Sequence, residues 1–310
     1  MKYILLSALA TVFICCGHAQ PPKIAYNVAV KDSAGKSNYE VFTMNSDGSA
    51  ATNITRNKDV AWTYKAYKDN LYFISDRDTC YRCYFLYRTN AAGAPIQKVS
   101  NLQLEDSWMD LRNDGAEMVV TGRIGKDVRY QVFIIRTKDG NFTQLTNDTA
   151  AHYRDPAFSP DGKQLAVVYR KHKRDRTIKD EVFLLSLKDQ SLKQLTTYPL
   201  DKKPSEIPGY SAGGLRWHPT ENFISYISSV NGRHNIYRVN PDGSGQRRLT
   251  NLDITEGWHD WSPDGKWLVF DSSNPEETQY HIMLMNWKTL SYRQLTTNSH
   301  AYQQSPVFLW

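Results

Sequence analysis

The feature that most constrains the fold of this 310-residue chain is a short signature that recurs along it. A polar residue, an aliphatic residue and a hydroxyl residue follow one another in six places, at intervals of about 48 residues. The six copies are Asn53-Ile54-Thr55, Lys98-Val99-Ser100, Gln144-Leu145-Thr146, Gln194-Leu195-Thr196, Arg248-Leu249-Thr250 and Gln294-Leu295-Thr296. A repeat of this length is typical of propeller blades with four strands each. The repeat therefore predicts an all-β protein.

A second signature lies between the copies of the first and marks tight turns. It is clearest as Phe158-Ser159-Pro160-Asp161-Gly162-Lys163 and Trp261-Ser262-Pro263-Asp264-Gly265-Lys266, each followed by a β-rich run. Proline presets φ for a turn, and Asp-Gly accepts the left-handed conformation that closes it. We interpret these residues as turn chemistry rather than catalytic groups.

Together the two signatures resemble the WD-like repeat of the periplasmic TolB family, over essentially the whole mature chain. The resemblance implies a β-propeller, a fold that hosts binding proteins and enzymes alike. The Tol-system protein has an α/β domain before its propeller, and peptidase relatives add a hydrolase domain. Here we expect a propeller alone.

The two ends of the chain predict the number of blades. The segment Ile24–Val28 resembles the second strand of a blade, and Gln304–Phe308 resembles an inner strand without its blade. Joining the two completes one blade, and five whole repeats lie between them. We therefore predict a six-bladed β-propeller with four-stranded blades, in which the C-terminal strand closes the ring and hides both open edges.

The N-terminal residues predict export. Lys2, the apolar run Ile4–Cys16 and a small-residue end are typical of a secretory signal peptide, so we expect residues 1–19 to be removed and residues 20–310 to form one domain. The apolar run is too short for a comfortable membrane span, and we expect no transmembrane segment in the mature chain. Lipidation at Cys15 or Cys16 is the alternative. The expected location is the periplasm or the exterior.

The net charge and the cysteine content limit the partners and metal sites that the sequence predicts. The formal charge of +6 is a mild excess that does not require a nucleic-acid partner. Cys80 and Cys83 alone remain after cleavage, and in an oxidising compartment we expect them to form a disulfide across a turn. Two thiols are too few for a structural zinc site.

Strand order predicts which face of the propeller binds a ligand. The blade-to-blade linkers and the middle hairpins share one face, which we call the linker face, and this face carries the long segments. Residues before each inner strand are expected to ring the channel mouth there. The predicted ligand-binding residues are Trp108, Arg154, Asp155, Glu256, Trp258, His259 and Gln303. Aromatic, acidic and amide groups suit a sugar or a peptide.

Three functions fit these residues. The leading hypothesis is a non-enzymatic binding module, expected to be a monomer without a cofactor, whose partner is a protein or glycan of the cell envelope. The first alternative is a carbohydrate-active enzyme similar to oligogalacturonate lyases, which use histidines and a divalent metal on a similar propeller. The histidines here lack close ligand spacing, so no metal ligands are predicted. The second alternative is a propeller retained from a peptidase lineage for docking.

Overall fold

The computed structural model describes residues 22–31, 35, 37–175, 177–198, 210–230 and 233–309. The regular secondary structure in these ranges is β-strand, arranged in six antiparallel sheets. The predicted six-bladed propeller is therefore confirmed. Across the same ranges, no apolar helix of bilayer-spanning length occurs. The predicted signal peptide and the alternative lipidation site lie outside the described residues.

The first three blades take the N-terminal half of the chain. Blade 1 contains β1 (Lys23–Lys31), β2 (Ser37–Met44), β3 (Thr52–Asn53) and, from the end of the chain, β25 (Gln303–Leu309). Blade 2 contains β4 (Ala61–Tyr67), β5 (Asn70–Ser75), β6 (Phe85–Asn90) and β7 (Gln97–Lys98). Blade 3 contains β8 (Gln103–Leu104), β9 (Asp110–Arg112), β10 (Glu117–Ile124), β11 (Val128–Arg136) and β12 (Phe142–Gln144).

The last three blades contain four strands each. Blade 4 contains β13 (His152–Phe158), β14 (Gln164–Arg170), β15 (Glu181–Ser186) and β16 (Leu192–Gln194). Blade 5 contains β17 (Tyr210–Trp217), β18 (Ile224–Val230), β19 (Arg233–Val239) and β20 (Arg247–Arg248). Blade 6 contains β21 (His259–Trp261), β22 (Trp267–Ser273), β23 (Tyr280–Asn286) and β24 (Tyr292–Gln294).

The ring closes as the chain ends predict. β25 pairs antiparallel with β1, with Ile24 opposite Phe308 and Ala25 opposite Val307. Both Ile24 and Phe308 are buried in a cluster that also includes side chains of blade 6. The C-terminal strand thus supplies the inner strand of blade 1 and packs that blade against the last one.

The recurring hydroxyl residue joins the two outer strands of a blade. In four blades the threonine Oγ1 accepts a backbone N–H from the third strand at 2.9–3.0 Å; these threonines are Thr55, Thr146, Thr196 and Thr296. In blades 1 and 4 the same hydroxyl also donates to a buried carboxylate, Glu40 or Glu181. In these four blades the hydroxyl residue of the signature therefore fixes the outer strand to its neighbour.

Blade 3 departs from the regular pattern in its inner strand, which is divided into β8 and β9. Between them, Trp108 directs its backbone N–H to the Asp155 carboxylate of blade 4 at 3.0 Å, instead of bonding to β10. The indole of Trp108 is 1% exposed. The strand is interrupted because this residue contributes to the packing of the central channel.

Candidate functional site

An open pocket of about 340 Å³ lies on the linker face, where the inner ends of blades 4, 5, 6 and 1 meet. We call it the mouth pocket. The side chains that matter for its chemistry are those of Arg154, Trp258, Asp271, Tyr280 and Gln304. Two rings, a guanidinium, a carboxyl group and an amide thus surround one concavity, as in sites that recognise small organic groups.

The central channel is filled below this pocket. The guanidinium carbon of Arg216 lies 3.9 Å from the ring centroid of Trp108, which is a cation–π contact. Arg216 also donates to the Tyr64 carbonyl at 2.8 Å and to Asp260 Oδ1 at 3.1 Å. The Trp108 ring in turn contacts Trp258, with centroids 5.6 Å apart. One arginine therefore ties blades 2, 3, 5 and 6 together and gives the mouth pocket a closed floor.

Asp155 connects three blades and is 1% exposed. Its Oδ1 accepts bonds from the Ser107 hydroxyl and the Trp108 N–H, both at 3.0 Å, and its Oδ2 accepts the Gly214 N–H at 2.9 Å. Gly214 has φ of +60°, and a Cβ there would lie 3.3 Å from Trp258. Glycine is thus required for the backbone to reach the carboxylate. Asp155 is a structural clamp beneath the pocket.

Asp271 contributes a buried carboxyl group to the pocket wall. Its Oδ2 accepts the Ser305 N–H at 2.7 Å, which joins blade 6 to blade 1. Burial raises the pKa of Asp271 to about 8, although hydrogen bonds from the Ser305 and Trp258 backbones oppose the rise. The group is therefore largely protonated at neutral pH, when it is able to donate as well as accept. Asn27 makes the matching bond between blades 1 and 2, accepting the Thr63 N–H at 2.7 Å.

Arg154 brings positive charge to the opposite side of the pocket. Its guanidinium donates to Asp180 Oδ2 at 3.2 Å and lies 3.7 Å from Asp155 Oδ2. The Nε atom is buried and has no hydrogen-bond partner among the described residues. Two acids hold the side chain in place, and the exposed part of the guanidinium borders the pocket, where it is able to donate to an incoming acceptor group.

His259 lies behind the pocket and has no exposed surface. Its Nε2 is 2.7 Å from the Ser225 hydroxyl, which also accepts the indole N–H of Trp261 at 2.9 Å. Burial, together with repulsion from Arg216, lowers the pKa of His259 to about 3. The ring is therefore neutral and packs between blades.

Glu256 and Gln303 are also buried. Glu256 accepts the Ile236 N–H at 3.2 Å and the Thr250 hydroxyl, so it turns back into blade 5. Gln303 donates to the carbonyl groups of Thr297 and His300 at 2.8 and 3.0 Å. Glu256 thus satisfies groups of blade 5, and Gln303 satisfies carbonyl groups of the linker before β25.

Of the seven residues that the sequence predicts at the channel mouth, the structure places Arg154 and Trp258 in the mouth pocket. The other five lie beneath or beside it, in the contacts described above. Sequence reasoning missed Asp271, Tyr280 and Arg216. The sequence could have indicated Asp271, because a carboxylate directly follows the apolar strand run Trp267–Phe270. No sequence pattern indicates Arg216, which lies in the middle of an inner strand.

Ser211, which lines the mouth pocket, lies in a sequence with the spacing that many serine hydrolases have around their nucleophile. Gly209-Tyr210-Ser211-Ala212-Gly213 reads Gly-x-Ser-x-Gly, although Gly209 lies outside the described residues. In hydrolases that serine sits on a sharp turn between a strand and a helix. Here Ser211 lies within β17, opposite Ser229 of β18. The spacing therefore lacks the local structure that exposes a nucleophile.

Two further predictions concern metals and cysteines. Over the described ranges, no three His, Cys, Asp or Glu side chains converge to hold a metal ion. Cys80 and Cys83 form a disulfide, with Cα atoms 5.2 Å apart, in the hairpin between β5 and β6.

Comparison with known proteins supports the fold and its repeats. Residues 129–308 match the family described as the TolB beta propeller domain. The Tol-Pal system protein TolB of Francisella tularensis subsp. mediasiatica (strain FSC147) is 26% identical over 188 residues, which cover 59% of this chain and 39% of that protein. The chain thus spans about two fifths of the length of this relative.

Two solved structures show how widely the architecture is shared. TolB from Acinetobacter baumannii superposes with a TM-score of 0.70 and 13% identity, covering 93% of this chain and 66% of that one. An oligogalacturonate lyase in complex with manganese superposes with a TM-score of 0.55 and 14% identity, covering 91% and 87%. At these identities the likeness concerns the fold alone.

Proposed function

Because the chain belongs to the TolB β-propeller family, we propose that it is an exported, non-enzymatic module of the cell envelope. Its ligand is a protein, peptide or glycan bound on the linker face, and its location is the periplasm or the cell exterior. The signal-like N-terminus supports export, and the family supports a role in binding.

The observation that carries this proposal is the mouth pocket with its closed floor. Trp258 and Tyr280 offer apolar rings, and Arg154 and Asp271 offer complementary polar groups. A short peptide segment fits this chemistry best: an apolar side chain packs on the rings, and a backbone carbonyl or carboxylate accepts from Arg154. Since Arg216 and Trp108 fill the channel below, the ligand binds at the surface.

Replacement of Trp258 tests the site. Immobilised protein is used to select peptides from a random display library and to retain proteins from a solubilised envelope fraction. Trp258→Ala is expected to weaken binding of the selected peptides by about 2 kcal/mol while the melting temperature changes little. Tyr292→Ala, at a residue 45% exposed on β24 away from the pocket, is the matched control.

The opposite result would relocate the site. If Trp258 serves mainly to pack the blades, its loss should cost about 3–5 kcal/mol of stability instead. A strongly destabilised Trp258→Ala protein that still binds the selected peptides with full affinity would contradict a mouth-pocket site.

A metal-assisted lyase remains the alternative, since an oligogalacturonate lyase shares the fold. Metal analysis of the purified protein, with a screen of acidic oligosaccharides for unsaturated products, tests it. A stoichiometric metal together with lyase activity would replace the binding proposal.

A further inference from the structure

A second concavity of about 340 Å³ lies on the linker face between blades 1 and 2, and its described lining residues are different from those of the mouth pocket. We call it the blade 1–2 pocket. Aromatic side chains of both blades contribute to its wall, among them Tyr39 of β2 and Trp62 of β4. These two rings meet edge to face, with centroids 4.5 Å apart. The pocket therefore offers apolar ring surface to a ligand.

Asp106 brings a carboxylate to the same pocket. It lies in the connection between β8 and β9, is exposed and lines the cavity together with Tyr84. Its Oδ1 accepts the hydroxyl of Tyr64. Burial, and secondly the charge of Asp106, raises the pKa of Tyr84 to about 12 and that of Tyr64 well above its ordinary value. Both phenols are therefore protonated at neutral pH, and the negative charge is carried by Asp106.

The carboxylate of Asp106 lacks a cationic partner. In the described part of the chain its hydrogen bond comes from Tyr64, and it forms no ion pair there. Arg82 and Arg154 act on its charge without an ion-pair contact. One carboxylate oxygen is therefore left to accept from a ligand. A cation that also donates hydrogen bonds makes the strongest partner for such a group.

The other charged groups of the wall leave the balance negative. The lining includes three carboxylates and two cations: Asp59, Asp76 and Asp106, and Lys58 and Arg82. Both oxygens of Asp76 are occupied, since Oδ1 accepts the Val60 N–H and Oδ2 accepts the Arg82 N–H, each at 2.9 Å. The guanidinium carbon of Arg82 lies 5.7 Å from the ring centroid of Tyr81, so this cation packs on a neighbouring ring. The pocket thus favours a cation over an anion.

We propose that the blade 1–2 pocket binds a primary alkylammonium group, whose ammonium donates to Asp106 and whose methylene chain packs on Tyr39 and Trp62. An ammonium has three donors and no acceptor, which suits a carboxylate beside phenol oxygens. Lysine stems pack on apolar surface in this way while the charged head keeps polar contacts. A lysine side chain of a protein and a small free amine share this chemistry. The site is separate from the mouth pocket and does not depend on what binds there.

Titration of small ammonium compounds into the full, oxidised chain tests the site, with binding followed by calorimetry or NMR. n-Pentylammonium and Nα-acetyl-L-lysine N-methylamide are expected to bind in the millimolar range. Methylammonium should bind about fivefold more weakly or worse, because it lacks the chain that packs on the rings. Nα,Nε-diacetyl-L-lysine N-methylamide, which has no charge, should bind at least about tenfold more weakly than the charged derivative. Tighter binding of the charged lysine derivative than of n-pentylammonium assigns the site to a lysine side chain, and the reverse order assigns it to a free amine.

Three variants locate the bound ammonium. Asp106→Asn should weaken n-pentylammonium binding about tenfold or more and leave the melting temperature nearly unchanged, because the amide oxygen still accepts the Tyr64 hydroxyl. Arg82→Gln should strengthen binding, since a like charge leaves the pocket wall while the backbone N–H to Asp76 remains. Asp127→Asn is the matched control. It removes the same charge from an exposed residue between β10 and β11, outside the pocket, and should change the affinity little.

The mouth pocket provides a second control. Trp258→Ala should leave ammonium affinity unchanged, so a failure of the mouth-pocket proposal is distinguishable from a failure of this one. Equal affinity for the charged and the diacetylated lysine derivatives would overturn the proposal. Full affinity in Asp106→Asn, or absence of binding by both n-pentylammonium and the charged lysine derivative at millimolar concentration, would do the same.

Discussion

Neighbouring residues at the channel mouth have opposite environments. In three pairs one residue lines the mouth pocket and an adjacent residue of the chain is buried: Arg154 and Asp155, Trp258 and His259, and Gln304 and Gln303. Side chains alternate between the two sides of a strand, so adjacent positions at its start face different surroundings. The pairs show that whether a residue belongs to the pocket surface depends on which side of the chain its side chain takes, as much as on its position on the linker face.

Removal of β25, the strand that carries Gln303 and Gln304, should have the largest effect on stability. Deleting residues 303–310 removes β25, and with it both the inner strand of blade 1 and the cover on the edge of β1. We expect aggregation or a large fall in melting temperature, because an exposed strand edge recruits other chains. Calorimetry and light scattering measure the two outcomes. A truncated chain that melts like the full protein would show that β25 is dispensable for closure.

Separate replacement of Arg154 and Asp155 is the most direct test of whether adjacent residues at the channel mouth have different roles. Asp155→Ala leaves the Ser107 hydroxyl and the N–H groups of Trp108 and Gly214 without their acceptor, and should cost about 3–5 kcal/mol of unfolding free energy. Arg154→Ala removes the cation beside Asp155 and Asp180 but leaves the backbone bonds to Asp155 intact, so it should cost less, about 1–2 kcal/mol, and mainly reduce ligand binding. Denaturant unfolding of both variants measures the difference. Equal losses of stability would contradict the division of roles.

The acid in the pocket wall predicts a pH dependence. The folded pKa of Asp271, about 8, exceeds that of an unfolded aspartate, so its contribution to stability is complete at low pH and is lost as pH rises towards 8. His259, with a folded pKa of about 3, has the opposite effect, and only below its ordinary value near 6.5. Above pH 6.5, stability should therefore fall with pH, by about 1.4 kcal/mol per pH unit at most.

Asp271→Asn is the matched variant, since Asn27 makes the equivalent bond between blades 1 and 2. It should unfold with a flatter pH profile than the native protein between pH 6.5 and 8. Parallel profiles for the two proteins would show that Asp271 is ionised in the folded state.

The smallest effect concerns the glutamine pair. Gln303→Ala removes donors to two linker carbonyls and should cost about 1 kcal/mol, whereas Gln304→Ala should change stability by less than about 0.5 kcal/mol. Thermal unfolding of the two variants makes the comparison. A greater loss in Gln304→Ala would reverse the assignment of the two side chains.

The sequence predicts the fold well because each blade repeats its own local chemistry. In four copies the threonine bonds within its own blade, and the spacing of these copies and of the turns between them predicts blade count and strand order. The closing strand is predicted for a related reason, since an inner strand without its own blade must pair elsewhere.

The site is predicted less completely because its contacts cross between blades. Asp155 bonds to residues 48 positions before it and 59 positions after it, and Arg216 reaches Tyr64 across 152 positions. Such contacts have no local pattern to reveal them. Aligning the blades by sequence predicts which residues lie near the channel mouth. It does not predict which of them face the pocket, because an irregularity between Arg154 and Ala157 in the β13–β14 pairing shifts the alternation of side chains between the two sides of the strand.

The pairing of β25 with β1 also sets the order in which the molecule can be completed. Asn27 and Ser305 touch in the finished ring, although 278 residues separate them. Bringing the ends of so long a segment together costs roughly 5 kcal/mol of chain entropy. During synthesis, which proceeds from the N-terminus, β1 is made first of the described strands and its partner β25 is made last. Blade 1 is therefore the last of the six to be finished, and the nascent protein keeps an unpaired strand edge until the ribosome has passed the codons for β25.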